Sequence, residues 1–211
     1  MKTNISNPNE DLQTIREIME RSSKFLSLSG LSGIFAGVCA IIGVGIAWAL
    51  LDSGMLRYDE YIRNSGGMSA PGISLFLALD AILVLGFAFL GAVFFSRRNA
   101  RKAGQKLWNH STRQLLIHLL IPLGSGGLFI LILLFQNNLM LVVPAMLVFY
   151  GLSLVNAGKF TVGEIHYLGL TEIALGILAG VFINYGLLFW TLGFGLMHIV
   201  YGTVMYYRHE R

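Results

Sequence analysis

Apolar residues run along this chain in long unbroken stretches, without the alternating or three-four rhythm of a soluble fold, and polar residues collect in the gaps between them. Six stretches stand out, at 25–51, 72–95, 114–135, 139–156, 165–183 and 187–207. Each has about 18 to 27 residues, enough at 1.5 Å per residue to cross a hydrocarbon layer roughly 30 Å thick. Lipid offers no partner for backbone N–H and C=O groups, so such stretches must satisfy them internally as helices. The pattern predicts an all-α membrane protein, with six transmembrane helices arranged as three hairpins over residues 25–211.

Residues 1–24 read differently. Asn7, Pro8 and Glu10 have the spacing of a helix start, with a cap, a proline at the first position and an acid at the third. Leu12, Ile15, Ile18 and Met19 then share one face, while Glu17 with Arg21 and Glu20 with Lys24 form i,i+4 pairs on the other. An amphipathic helix on the cytoplasmic surface is expected, serving as a lead-in to the first span or as a docking element. A cleavable signal is not expected, because the apolar run at 25–51 is about 27 residues long and follows a long charged segment, so the first span is expected to act as the anchor.

Composition agrees: 55% of residues are hydrophobic and the mean hydropathy is +0.68. The net charge of +4 does not point to nucleic acid, because the basic residues lie between spans. Arg16, Arg21 and Lys24 precede the first span; Arg97, Arg98, Arg101, Lys102, Lys106 and Arg113 lie between the second and third; Lys159 and Arg208 continue the series. The opposite loops hold only Arg57 and Arg63, offset by Asp52, Asp59 and Glu60. Positive loops stay inside, so both termini are expected in the cytoplasm.

Ionisable residues inside the spans mark the candidate chemistry. Helices joined by a short turn bring together residues whose numbers have a nearly constant sum. A turn at Asn184–Gly186 therefore sets Glu172 opposite His198, each about eleven residues, on the order of 16 Å, from its outer helix end. Two ionisable groups at one mid-membrane depth are expected to be neighbours, within direct reach or one bridging water. They would serve as a proton or ligand site, or as a hydrogen bond locking two helices. Asp80, inside the second span, is a second candidate. The stretch 121–127 contains Pro122 followed by Gly124, Ser125, Gly126 and Gly127, which predicts a kink or break where a ligand cavity could form. Across the turn near Asn137, Gly151 is expected opposite Gly124, and His118 opposite Asn156 as a hydrogen bond. Glu164, His166 and Lys159 are expected to snorkel at the cytoplasmic rim.

Other chemistry lacks its residues. The single cysteine, Cys39, forms no internal disulfide, and no metal-ligand, nucleophile-elbow, phosphate-loop or dinucleotide motif is present. Haem would need imidazoles from different helices at one depth, whereas His118 lies about 7 Å from the cytoplasmic edge and His198 about 15 Å. No metal, no cofactor and no enzymatic activity are therefore expected.

Small residues pattern the packing. Gly33 and Gly37 form a small-xxx-small pair in the first span, and Gly30-Leu31-Ser32 with Ile34, Gly37 and Ala40 matches Gly169-Leu170-Thr171 with Ile173, Gly176 and Ala179. This hints at an internal repeat relating the first and last hairpins. The segments GLTEIALGILAG and GLLFWTLGFGLMHIVYGTVMYYRHER resemble the closing hairpin of small, uncharacterised bacterial six-helix membrane proteins. They are also loosely similar to the acid-resistance membrane proteins built from glycine-rich hairpins. The resemblance implies a bacterial inner-membrane location and transfers no functional residue.

Two functions fit these readings. One is a non-catalytic sensor, partner-binding or stress-related membrane module, in contact with the bilayer and with a second copy or another membrane protein. The other is a small proton- or ion-coupled permease in which Glu172 and His198 titrate and Asp80 with the 124–126 break forms a second site. A continuous polar cavity would favour the permease; a sealed bundle would favour the module.

Overall fold

The computed structural model describes residues 28–51, 71–102, 104, 108–136 and 138–211. Among them every regular element is helical. The elements are α1 (Gly30–Leu51), α2 (Pro71–Lys102), α3 (His110–Phe135), α4 (Val142–Ala157) and α5 (Gly163–Val181), then α6 (Gly186–Trp190) and α7 (His198–His209) joined by a π-helical turn at Thr191–Met197. Six helices are long and apolar enough to cross a membrane, with α6, the π-turn and α7 together forming the sixth, Ile183–His209. The expected amino-terminal helix and the outer loop at 52–70 lie outside the described residues.

Polar residues decide where the helices end. The apolar run of span two stops at Phe95, but α2 continues to Lys102, so the basic segment expected as a loop is its last two turns. Cations there face the carbonyl end of the helix dipole and carry no helix breaker. The turn comes at Gly104, whose φ of 64° and N–H bond to the Arg101 carbonyl close the chain. Span three likewise starts earlier than its apolar run, because Asn109 accepts from the Thr112 backbone N–H at 2.8 Å and caps a polar first turn. Of the expected kink or break, the break does not occur: α3 is continuous across Pro122 and residues 124–127, and Ser125 Oγ donates back to the Ile121 carbonyl at 2.8 Å. A single missing donor is not enough to interrupt a long helix whose other bonds persist.

Glycines set which helices meet closely. A Cβ on Gly30 would overlap the Gly202 carbonyl and Tyr206, one on Gly33 would meet the Gly202 Cα at 3.1 Å, and one on Gly37 would meet the Gly195 carbonyl at 2.6 Å, so span one lies backbone to backbone on span six. Span five does the same with span four, because a Cβ on Gly151 would lie 2.6 Å from the Gly169 carbonyl and one on Gly169 would lie 2.7 Å from the Gly151 carbonyl. Gly151 therefore faces span five and not Gly124; the glycine opposite span four's aromatic face is Gly126, beneath Phe149. The closest crossings thus join α1 to span six and α4 to α5, alongside the contacts between α1 and α2 and between α3 and α4. Spans two and three sit at the edges of this row and turn Ile82, Leu83, Phe89, Leu90, Ile121 and Leu128 outward, a surface suited to lipid.

Candidate functional site

Span five carries Glu172 on the face occupied by Leu168, Gly169, Gly176 and Ala179, the positions that α5 buries. Its carboxylate has no exposed surface. It lies over Gly193 of span six so closely that a Cβ at that position would overlap Oε2, and would also stand 2.6 Å from Leu147 Cδ2. Gly193 belongs to the π-helical turn, whose wider backbone changes how span six presents its side chains at mid-membrane. His198 follows directly after that turn.

Three contacts define the imidazole. Nδ1 is 3.0 Å from the Gly193 carbonyl oxygen, Nε2 is 2.7 Å from Tyr150 Oη, and Nδ1 is 3.4 Å from Glu172 Oε1. A carbonyl can only accept, so Nδ1 carries a proton and donates it to Gly193. In the neutral ring Nε2 then accepts from the Tyr150 O–H. The Glu172 oxygen is 3.4 Å from the same Nδ1, too far for a normal hydrogen bond, and among the described residues neither carboxylate oxygen has a hydrogen-bond partner. Tyr150 stacks on the imidazole at 5.4 Å between ring centroids, and Phe194 and Trp190 continue the aromatic wall.

An isolated charge in such a place is strongly disfavoured. Two arrangements of the pair carry no net charge: a neutral acid beside a neutral imidazole, and a carboxylate beside an imidazolium. They differ in the position of one proton. Nδ1 already carries a proton, so the second proton of an imidazolium would sit on Nε2, on the Tyr150 side; Glu172 can gain or lose its own proton while the ring stays neutral, but it has no direct transfer to Nδ1.

The other expected residues do not join this pair. Asp80 is half-buried against span one, where a Cβ on Gly43 would lie 3.2 Å from its carboxylate. Gly124 and Ser125 are exposed, with no atom within 4 Å of a Cβ placed on Gly124, and Gly126 is covered by Phe149. His118 stacks on Phe160 with centroids 4.6 Å apart, in place of the expected bond to Asn156. Glu164 does not snorkel: it is buried and accepts from Arg208 at 3.0 Å, with His209 Nε2 at 3.3 Å, tying the start of span five to the end of span six. Tyr150 and Gly193 are the members that sequence reasoning missed. No motif marks Tyr150, whereas the Gly193-Phe194-Gly195 triplet one turn before His198 was a usable sign of close approach.

Among the described residues no group of three or more His, Cys, Asp or Glu side chains is gathered to hold a metal ion. Comparisons with known protein families, with curated proteins and with solved structures return no match for this chain.

Proposed function

We propose that this chain is a non-catalytic integral membrane module, a sensor or stress-related protein, whose core holds one protonatable unit made of Glu172, His198 and Tyr150. The observation that carries the reading is the fully buried Glu172 carboxylate, 3.4 Å from His198 Nδ1 and without a hydrogen-bond partner among the described residues. A group of this kind gives little to packing, since an apolar side chain would fill the space without a desolvation cost. It is suited to a response in which gain or loss of a proton alters how spans four, five and six fit together. The bilayer is one partner under this reading, and a second copy or another membrane protein receives the signal.

A small proton-coupled permease is the second reading, favoured by the same unpartnered carboxylate, which resembles a transport intermediate awaiting its proton. Against it, Asp80 and the 124–126 segment do not converge with Glu172 on a common path. Flux in proteoliposomes under an imposed pH gradient separates the two. The module reading expects no gradient-driven flux from either the intact protein or Glu172→Gln, together with a carboxylic C=O infrared band in the intact protein that Glu172→Gln removes. Gradient-driven flux abolished by Glu172→Gln would overturn it in favour of transport.

The proposal includes a bacterial inner-membrane location with both termini in the cytoplasm, supported by the basic residues that end α2 and α7. In a Cys39→Ala background, an impermeant thiol reagent added outside should label Ser65→Cys and not Ala103→Cys. The reverse pattern would invert the orientation.

A further inference from the structure

At the basic end of the bundle, a cavity of about 290 Å³ opens among the ends of spans one, two and six. Its size is at the lower end of the roughly 300–1,000 Å³ usual for small-molecule sites. Arg98 and Lys102 line it, one turn apart on α2, so that their side chains lie on the same helix face. Neither forms an ion pair among the described residues. The one anion on the wall among the described residues, Glu210, is already engaged: it accepts from Ser29 Oγ at 2.9 Å and from the Gly30 backbone N–H at the start of α1. Tyr206 adds a phenol, and Phe95 adds an apolar flank where the apolar run of span two ends.

We propose that this cavity binds a phosphate group, held by Arg98 and Lys102. An arginine supplies two parallel donors to phosphate oxygens and a lysine a compact charge, and two cations beside one carboxylate held by neutral donors leave a net positive field. Basic pockets between helices at a membrane rim suit the headgroup of an anionic phospholipid, and the flank formed by Phe95 continues toward lipid. A free phosphate offers the same oxyanion without chains. Glu210 sets the strength of the site, because its charge opposes any bound anion.

The test uses the full-length protein, purified in detergent and stripped of lipid, and follows binding by native mass spectrometry and by thermal shift. The probes are dihexanoyl-phosphatidylglycerol, dihexanoyl-phosphatidylcholine and inorganic phosphate. Saturable binding of the phosphatidylglycerol, weakened at least tenfold in Arg98→Gln/Lys102→Gln and unchanged in the charge-matched Arg97→Gln/Arg101→Gln, is the expected result. Glu210→Gln, which keeps an acceptor for Ser29, should tighten it severalfold. Displacement of the lipid by millimolar phosphate would identify a soluble phosphate as the ligand of the same site; resistance to displacement would identify the lipid. Equal binding of phosphatidylcholine, equal loss in the two double variants, or no saturable binding of any probe would overturn the proposal.

Discussion

Glu172 Oε1 lies 3.4 Å from His198 Nδ1, joining the middles of spans five and six, yet the imidazole gives its shorter contacts to Gly193 and Tyr150. The histidine is therefore anchored independently of the carboxylate. The two residues need not respond alike to mutation.

Glu172→Gln should fold with a loss of about 1 kcal/mol or less, since the amide has the same shape and the acid forms no short hydrogen bond that it would lose. Glu172→Leu should cost more, about 2–3 kcal/mol, because the shorter branched chain leaves space above Gly193. His198→Leu should be the worst of the three, as it strands the Gly193 carbonyl and the Tyr150 hydroxyl. Denaturation of the detergent-solubilised variants gives the order, and a Glu172→Gln loss larger than that of His198→Leu would refute it.

Gly193→Ala should destabilise by about 1–3 kcal/mol through overlap with Glu172 and Leu147. Combining it with Glu172→Ala removes one of the two obstacles, so the double variant should lose less than the sum of the singles, with a coupling of at least about 0.5 kcal/mol. Strict additivity would mean that the carboxylate does not rest on Gly193.

Tyr150→Phe deletes the hydroxyl while keeping the ring stacked on His198. The expected cost is about 1 kcal/mol. Nitrogen NMR of labelled histidine should show a changed Nε2 environment at His198 and an unaltered Nδ1 donating to Gly193. An unchanged Nε2 signal would exclude the Tyr150 bond.

Gly202→Val tests the crossing of spans one and six, where a Cβ would stand 2.6 Å from the Ile34 nitrogen and 2.7 Å from the Gly30 carbonyl oxygen. Separating the two backbones should cost more than about 2 kcal/mol or prevent folding. Gly45→Ala, with no atom within 4 Å of the added carbon, is the control and should be neutral or slightly stabilising. Comparable losses for both would show that helix flexibility, and not contact, matters at these glycines.

What a chain says locally about itself was enough for the spans, because the length and hydropathy of each apolar run are properties of neighbouring residues. The same holds for the register of the last hairpin, where a short turn ties the partners to a constant sum and Glu172 meets His198 as expected; across the earlier turn Gly151 faced Gly169 in place of the expected Gly124. Helix ends were read less well, since Arg97–Lys102 and His110–Arg113 look like loop in hydropathy but extend helices through capping and dipole effects.

Contacts between helices distant in sequence had no such tie, and only the tertiary structure decided them. Tyr150 reaches His198 because span four packs against spans five and six; Gly151 chose Gly169 because a crossing between spans four and five needs two small residues; Glu164 found Arg208 and His209 because spans five and six end side by side. The irregular backbone was expected at Pro122 and occurs instead at Thr191–Met197. A proline announces its missing donor in the sequence, whereas a π-turn is selected by what the wider helix gains in packing. That gain, a glycine beneath a buried carboxylate, exists only once the other helices are in place.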